Sequence, residues 1–225
     1  MDTNIGAKER VTQNRLIGLF KNVLKYTCLG NWETREGNAN IEETLLTAYL
    51  SRRGYTDKEI RSAIAKFKQA ANSLGGGLYN ANKEVYTLLR YGVNVQAEVT
   101  EKKKMVHLID WANPMENDFQ IAEEVTIQGE SDRRPDLVVY VNGIALAVIE
   151  LKRSTVSAHE GIRQNIRNQQ DGYIPRFFTT IQLLFAGNDT EGLHYGVIKT
   201  PEKFWLRWKE PCGEPCKPSR FTAEE

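Results

Sequence analysis

The chain has 225 residues, 40% of them apolar, with 30 Lys and Arg against 29 Asp and Glu. That is enough for one substantial core, and the near-balance leaves no large single-sign field to announce a nucleic-acid or membrane partner. No apolar run reaches the roughly 18–20 residues of a membrane span, and the start MDTNIGAKERVTQNR has no signal-peptide core, so a cytoplasmic protein with no membrane contact is expected. Three cysteines, Cys28, Cys212 and Cys216, are too few and too unevenly placed for a disulfide framework. The tail pair CGEPC lacks the second Cys/His pair that a zinc site needs.

In chain order, the N-terminal third reads as helical. ERVTQNRLIGLFKNVLKY has apolar residues at helical spacing, and NIEETLLTAYLSRRGY runs to a stop at Gly54. Thr56 and Glu59 form a capping-box pattern ahead of EIRSAIAKFKQAANS, SLGGGLYN breaks the chain, and NKEVYTLLRYG is a further short helix. From there the period changes to two. GVNVQAEV, KKMVHLIDW and FQIAEEVTIQ read as strands, as do TIQLLFAG and HYGVIK later on. Between them stand LVVYV and IALAVI, two β-rich runs around Asn142-Gly143, which is a hairpin signal. SAHEGIRQNIRNQQDGY, with a second capping-box pattern at Ser157 and Glu160, is a crossover helix joining IALAVIELK to TIQLLFAG. This order predicts an α/β fold, a mixed central β-sheet flanked by helices. Pro, Cys, Lys and Glu dominate after VIKTPEKFWLRWKE, which predicts a linker or frayed tail.

The hairpin raises a chemical question, because Asp136, Glu150 and Lys152 stand at the ends of strands that are otherwise apolar. Alternation puts Ile144, Leu146, Val148, Glu150 and Lys152 on one face. A two-residue Asn142-Gly143 loop would set Asp136 opposite Ile149, on the wrong face. A three-residue loop from Val141 to Gly143 pairs Asp136 with Val148 and gathers all three charges, and that loop is the expectation. Two carboxylates at such a rim repel unless a cation joins them. A hard divalent ion bound through oxygens does so, with the Leu151 carbonyl as a further ligand. Such an ion polarises a phosphoryl oxygen and acidifies water, while Lys152 can orient that water or offset negative charge. The competing reading is an ordinary Glu150–Lys152 ion pair and a turn-capping Asp136. On the helix, Ile162, Ile166, Gln169 and Tyr173 fall within an arc of about 60°, so Gln169 and Tyr173 either face the sheet near the site or simply complete the core. Arg163 and Arg167, one turn apart, suit phosphates or solvent.

HLIDWANPMENDF, RRPDLVVYVNGIALAVIELK and QQDGY, in that order, resemble the approach strand, the PD-(D/E)xK nuclease motif and the Q-x3-Y motif of the N-terminal endonuclease domain of type I restriction-modification R subunits. The resemblance covers most of residues 5–210. It implies a restriction-endonuclease-like core with an N-terminal helical region. On that reading residues 1–92 are the helical part, 93–210 the nuclease core sheet and crossover helix, and 211–225 the tail. It also implies Mg2+ held by Asp136 and Glu150, a catalytic Lys152, and roles for Gln169 and Tyr173. An acidic residue from an early helix often joins such sites, and Glu9, Glu42 and Glu43 are all candidates. The implied activity is hydrolysis of DNA phosphodiester bonds by a type I site-specific deoxyribonuclease. The implied partners are double-stranded DNA and the methyltransferase and specificity subunits. No G-x4-G-K-[ST] phosphate loop occurs in the sequence, so ATP would act only through a motor region beyond this chain, which looks like an isolated or truncated domain. Two alternatives remain open: another PD-(D/E)xK repair nuclease, and a catalytically silent nuclease-like module that docks DNA or subunits.

Overall fold

The computed structural model describes residues 5–96 and 102–209, with the side chains of 5–9 outside that description. Five helices and nine strands follow one another: α1 Ile5–Gly18, β1 Thr27–Asn31, α2 Glu43–Arg52, α3 Asp57–Asn72, α4 Leu78–Tyr91, β2 Val93–Val95, β3 Lys104–Val106, β4 Phe119–Glu123, β5 Leu137–Val141, β6 Ile144–Leu151, α5 Ala158–Asn168, β7 Leu183–Asn188, β8 Gly192–Gly196 and β9 Leu206–Arg207. Seven strands form one sheet in the order β1-β4-β5-β6-β7-β8-β9, while β2 and β3 make a separate antiparallel pair. β1 with β4 and β6 with β7 are parallel and the other main-sheet pairs antiparallel, so the sheet is mixed, as expected. Among the described residues no helix is long and apolar enough to cross a membrane.

The helical reading of the N-terminal third missed β1. This strand has one large aliphatic residue, Leu29, and no alternation to betray it; its partners Gln120–Glu123 lie about ninety residues downstream in sequence. The capping box on α3 is present: the Thr56 side chain accepts from the Glu59 N–H, and the Glu59 carboxylate accepts from the Thr56 N–H at 2.8 Å. On α5 the expected box is replaced. Ser157 caps through the His159 N–H, and the Glu191 carboxylate, brought in from the β7–β8 turn, accepts from the Ala158 N–H at 3.1 Å. Glu160 is drawn away to Arg163.

The central strand β6 is buried on both faces. One face packs under α2–α4, where Ile144 joins Leu46, Leu50, Ile64, Phe67 and Val85. The same side further along packs under α1 and the turn that follows it, where Leu16, Ile17 and Phe20 cover Leu137, Ile149 and Leu151. The opposite face packs under α5, where Ala145, Val148 and Val138 meet Ile162, Phe178 and Leu184. Gly161 permits the close approach of α5, since a Cβ there would stand 3.1 Å from the Ala186 Cβ and 3.5 Å from the Glu150 Cβ. A helix seated this tightly over the end of β6 forms one wall of the region where the charged residues emerge.

Candidate active site

The hairpin turn is shorter than expected. Tyr140 pairs with Ala145 and Val141 with Ile144, leaving a two-residue loop, Asn142-Gly143, with φ of 54° and 80°. These angles are those of a type I′ turn, whose twist suits a hairpin. The three-residue loop is therefore corrected, yet the wrong-face outcome does not follow. Register shifts between Val139 and Tyr140: Val139 pairs with Ala147, so Leu146 is the extra residue of a β-bulge. The bulge also corrects the expected face, because Ala145, not Ile144, shares the α5 side with Val148.

Past the bulge, Val138 pairs with Val148 and Leu137 with Ile149. Continuing one step sets Asp136 opposite Glu150, and directly opposed residues project to one face. Both carboxylates thus lie on the α5 side. The Leu151 N–H donates to Asp136 Oδ2 at 2.6 Å, locking that carboxylate against the end of β6. Glu150 is fully buried, and Gln164 of α5 donates through Nε2 to its Oε2 at 2.7 Å. Lys152 follows at once, half-buried, with its backbone N–H bonded to Gly187 O and its Nζ donating to Leu151 O at 3.0 Å. The oxygens available here, two carboxylates and a main-chain carbonyl, are hard ligands of the kind Mg2+ prefers, so the donor set fits a hard divalent cation. Among the described residues no three His, Cys, Asp or Glu side chains cluster for a metal.

Gln169 and Tyr173 sit differently. α5 ends at Asn168, Gln169 is its C-cap, and Gly172 turns with φ of 86°, so the helical stripe expected to carry both residues stops short of Tyr173. Gln169, 2% exposed, donates to Asn165 O at 3.0 Å and accepts from the Lys199 N–H at 2.8 Å. Tyr173 lies under Arg133, whose guanidinium carbon is 4.2 Å from the ring centroid. The glutamine that touches a candidate carboxylate is Gln164, which the sequence reading passed over. Its signal was the spacing from Gly161: three residues on, it shares the helix face that a small residue brings close to the sheet.

Glu42 stands at the other end of the hairpin. Its N–H donates to Gly143 O at 2.8 Å, and its carboxylate is held by Arg35 and the Ala39 N–H. Seven residues of strand separate Gly143 from Glu150, about 20 Å at strand rise. Glu43 is exposed on α2 and pairs with Lys68, while the side chain of Glu9 lies outside the described residues, as do Cys212 and Cys216.

Comparison with known proteins adds the family. The profile of the type I restriction enzyme R protein N terminus (HSDR_N) matches residues 7–203. The chain belongs to this family. Relatives of this R-protein N terminus include the provisionally named type I restriction enzyme MjaIXP endonuclease subunit of Methanocaldococcus jannaschii, 29% identical over 154 residues, which are 65% of this chain and 14% of that protein. The type I restriction enzyme SsaAORF53P endonuclease subunit of Staphylococcus saprophyticus is 30% identical over 133 residues, 59% of this chain and 13% of that protein. A Staphylococcus aureus counterpart, the SauMSSORF170P endonuclease subunit, is 25% identical over 110 residues, 47% of this chain and 12% of its own length. The R-protein N terminus thus spans a small fraction of the curated relatives that it matches.

Proposed function

We propose that this chain is the DNA-cleaving domain of a type I restriction enzyme, hydrolysing phosphodiester bonds with Mg2+ held by Asp136, Glu150 and the Leu151 carbonyl. The observation that carries the reading is the convergence of Asp136 and Glu150 on one sheet face, achieved by a turn and a bulge that a plain hairpin would not need. When bound, the cation supplies positive charge to a phosphoryl oxygen and acidifies water. The chain's own residues do the rest. The Leu151 N–H and Gln164 aim the two carboxylates. Lys152, freed from its contact with Leu151 O, holds a water or offsets charge on the phosphate. Gln169 supports the segment around Lys199, and Tyr173 acts through Arg133. The names of the relatives support action on DNA within a restriction enzyme, and the partners expected are double-stranded DNA with methyltransferase and specificity subunits. No use of ATP is proposed for the residues of this chain, whose sequence has no G-x4-G-K-[ST] phosphate loop.

Calorimetric titration of Mn2+ and Mg2+ into the chain and into Asp136→Ala tests the reading. A single site lost in the variant is expected, together with loss of DNA cleavage in the assembled enzyme. Equal metal binding by both proteins, or wild-type cleavage by Asp136→Ala, would reject it.

A further inference from the structure

We propose that the cavity beside Lys152 is a subsite for a second backbone phosphate of the DNA, one next to the bond that is cut. The inference rests on the nuclease reading above and names four residues for it: Arg133, Arg167, Asn168 and, acting through Arg133, Tyr173.

The cavity, about 440 Å3, is lined by Arg133, Lys152, Val156, Glu160, Gln164, Arg167 and Asn168. It adjoins the carboxylates through Gln164, whose amide bonds Glu150. Three cations face one carboxylate, and that carboxylate is already engaged, since Glu160 pairs with Arg163 at 2.7 Å. The lining itself therefore carries more positive than negative charge, in a chain whose net charge is only +1. The Arg167 guanidinium makes no ion pair among the described residues. Asn168 is 1% exposed, and its Nδ2 is a buried donor without a hydrogen-bond partner. A buried amide left unbonded costs free energy, and this one belongs to a residue that lines the cavity.

Arg133 is held ready. Its backbone is pinned both ways to Ile127, at 2.8 and 3.1 Å, three residues before Asp136. Its guanidinium donates to Asp132 O at 2.7 Å and stacks on the Tyr173 ring. Tyr173 is fixed in turn: a Cβ on Gly129 would lie 2.4 Å from Tyr173 O, so the two loops are in close backbone contact. A guanidinium immobilised on a ring keeps its fork of donors for a phosphate and loses little entropy on binding. Two arginines, a lysine and a neutral amide match the charge and acceptor geometry of a phosphodiester. A contact with a phosphate carries no sequence information directly, so binding here should be indifferent to sequence.

The test is fluorescence anisotropy of the chain with a labelled duplex of arbitrary sequence in EDTA, over roughly 50–200 mM salt, where a few phosphate contacts lose much of their strength. Arg133→Gln and Arg167→Gln should each weaken binding about five- to tenfold and lower the slope of log affinity against log salt by about one. Arg133→Lys should keep most of the slope, and Tyr173→Phe should behave as wild type. Tyr173→Ala should show part of the Arg133→Gln loss, with thermal melts confirming that each variant folds. Asp136→Asn, which should lose metal, should bind DNA in EDTA at least as well as wild type. Unchanged slopes in both arginine variants overturn the subsite, as does absence of DNA binding by the wild type at the lowest salt. The nuclease reading then still stands or falls on the metal titration. Tight binding of inorganic phosphate by calorimetry, with duplex affinity insensitive to Arg133→Gln, overturns it in favour of a small-anion site.

Discussion

Both ends of the β5–β6 hairpin hold buried polar groups, and they are built on opposite terms. At the turn, Asn142 is fully buried and satisfied on every side: Nδ2 donates to Leu108 O and Asn117 Oδ1, Oδ1 accepts from the Asp118 N–H, and its own N–H donates to Asp118 O. Asn117 bonds Tyr49 and Asp110, and Asp110 caps Ala112 and Asn113 and pairs with Arg53 at 2.8 Å. Dipoles there are matched with dipoles, and the buried charges of Asp110 and Glu42 with countercharges on Arg53 and Arg35. At the open end two carboxylates converge across adjacent strands, held by the Leu151 N–H and the Gln164 amide. Buried polarity alone therefore does not mark a site; convergence of like charges does.

The largest expected effect lies at the open end. Asp136→Asn, Glu150→Gln and Lys152→Ala should each lower cleavage in the assembled enzyme on the order of 10³-fold or more. For the two acidic positions the metal-free chain should melt no lower than wild type, because a repelling charge is removed. A melting temperature well below wild type in both would erase the contrast with the turn. At the turn the expectation reverses. Gly143→Ala places a Cβ 2.6 Å from Leu45 Cβ and 2.8 Å from Glu42 O, at a φ of 80°. It should cost about 3 kcal/mol or more in urea denaturation. Asn142→Ala should cost about 2–3 kcal/mol, since it strands three buried groups of the β3–β4 connection.

Gln164→Ala sharpens the comparison from α5. Loss of the bond that orients Glu150 should reduce cleavage about 10- to 100-fold with little change in stability. Gln169→Ala, by contrast, removes bonds to Asn165 O and the Lys199 N–H and should lower stability by about 1–2 kcal/mol.

The smallest effect is a pH dependence. The carboxyl of Glu59 is held below its ordinary value of 4.5, chiefly by the Lys104 ammonium and then by the Thr56 N–H. Asp110 is likewise depressed, chiefly by the Asn113 N–H. A carboxyl whose folded pKa is lowered contributes stability that is complete above its unfolded value and lost as pH falls through the folded one. Melting temperature should therefore fall as pH drops below about 4.5. Glu59→Gln should melt lower than wild type at neutral pH and lose less of its stability on acidification, a difference that scanning calorimetry resolves.

Much of the open end was legible in the residues. LVVYV and IALAVI flank Asn-Gly so plainly that the hairpin, its burial and the strand-end placement of Asp136, Glu150 and Lys152 all follow from β propensity and turn chemistry. The length of the turn did not. The bulge at Leu146 has its cause outside the hairpin: Ile144 bridges Ile41, the Ala145 N–H donates to Asn40 O, and Leu146 packs against the helical core. β1 was hidden for the same reason, its ladder being entirely non-local. On α5 the periodicity was real but overran the helix; Gln164 lies off the apolar stripe, and its offset from Gly161 brings it to Glu150.

Leu146 can also be seen as a matter of counting. With the turn at Asn142-Gly143, an unbulged ladder would carry one residue more on β6 than the Asp136–Glu150 pairing allows, and the site would be lost by parity alone. The bulge absorbs that surplus. The β6 strand thus holds one spare residue, and a deletion at Leu146 would iron the strand flat while keeping Asp136 and Glu150 opposed. The same deletion on β5 would have no slack to draw upon. Tolerance of the hairpin to length change is therefore lopsided, set by whole numbers of residues and independent of which side chains they carry.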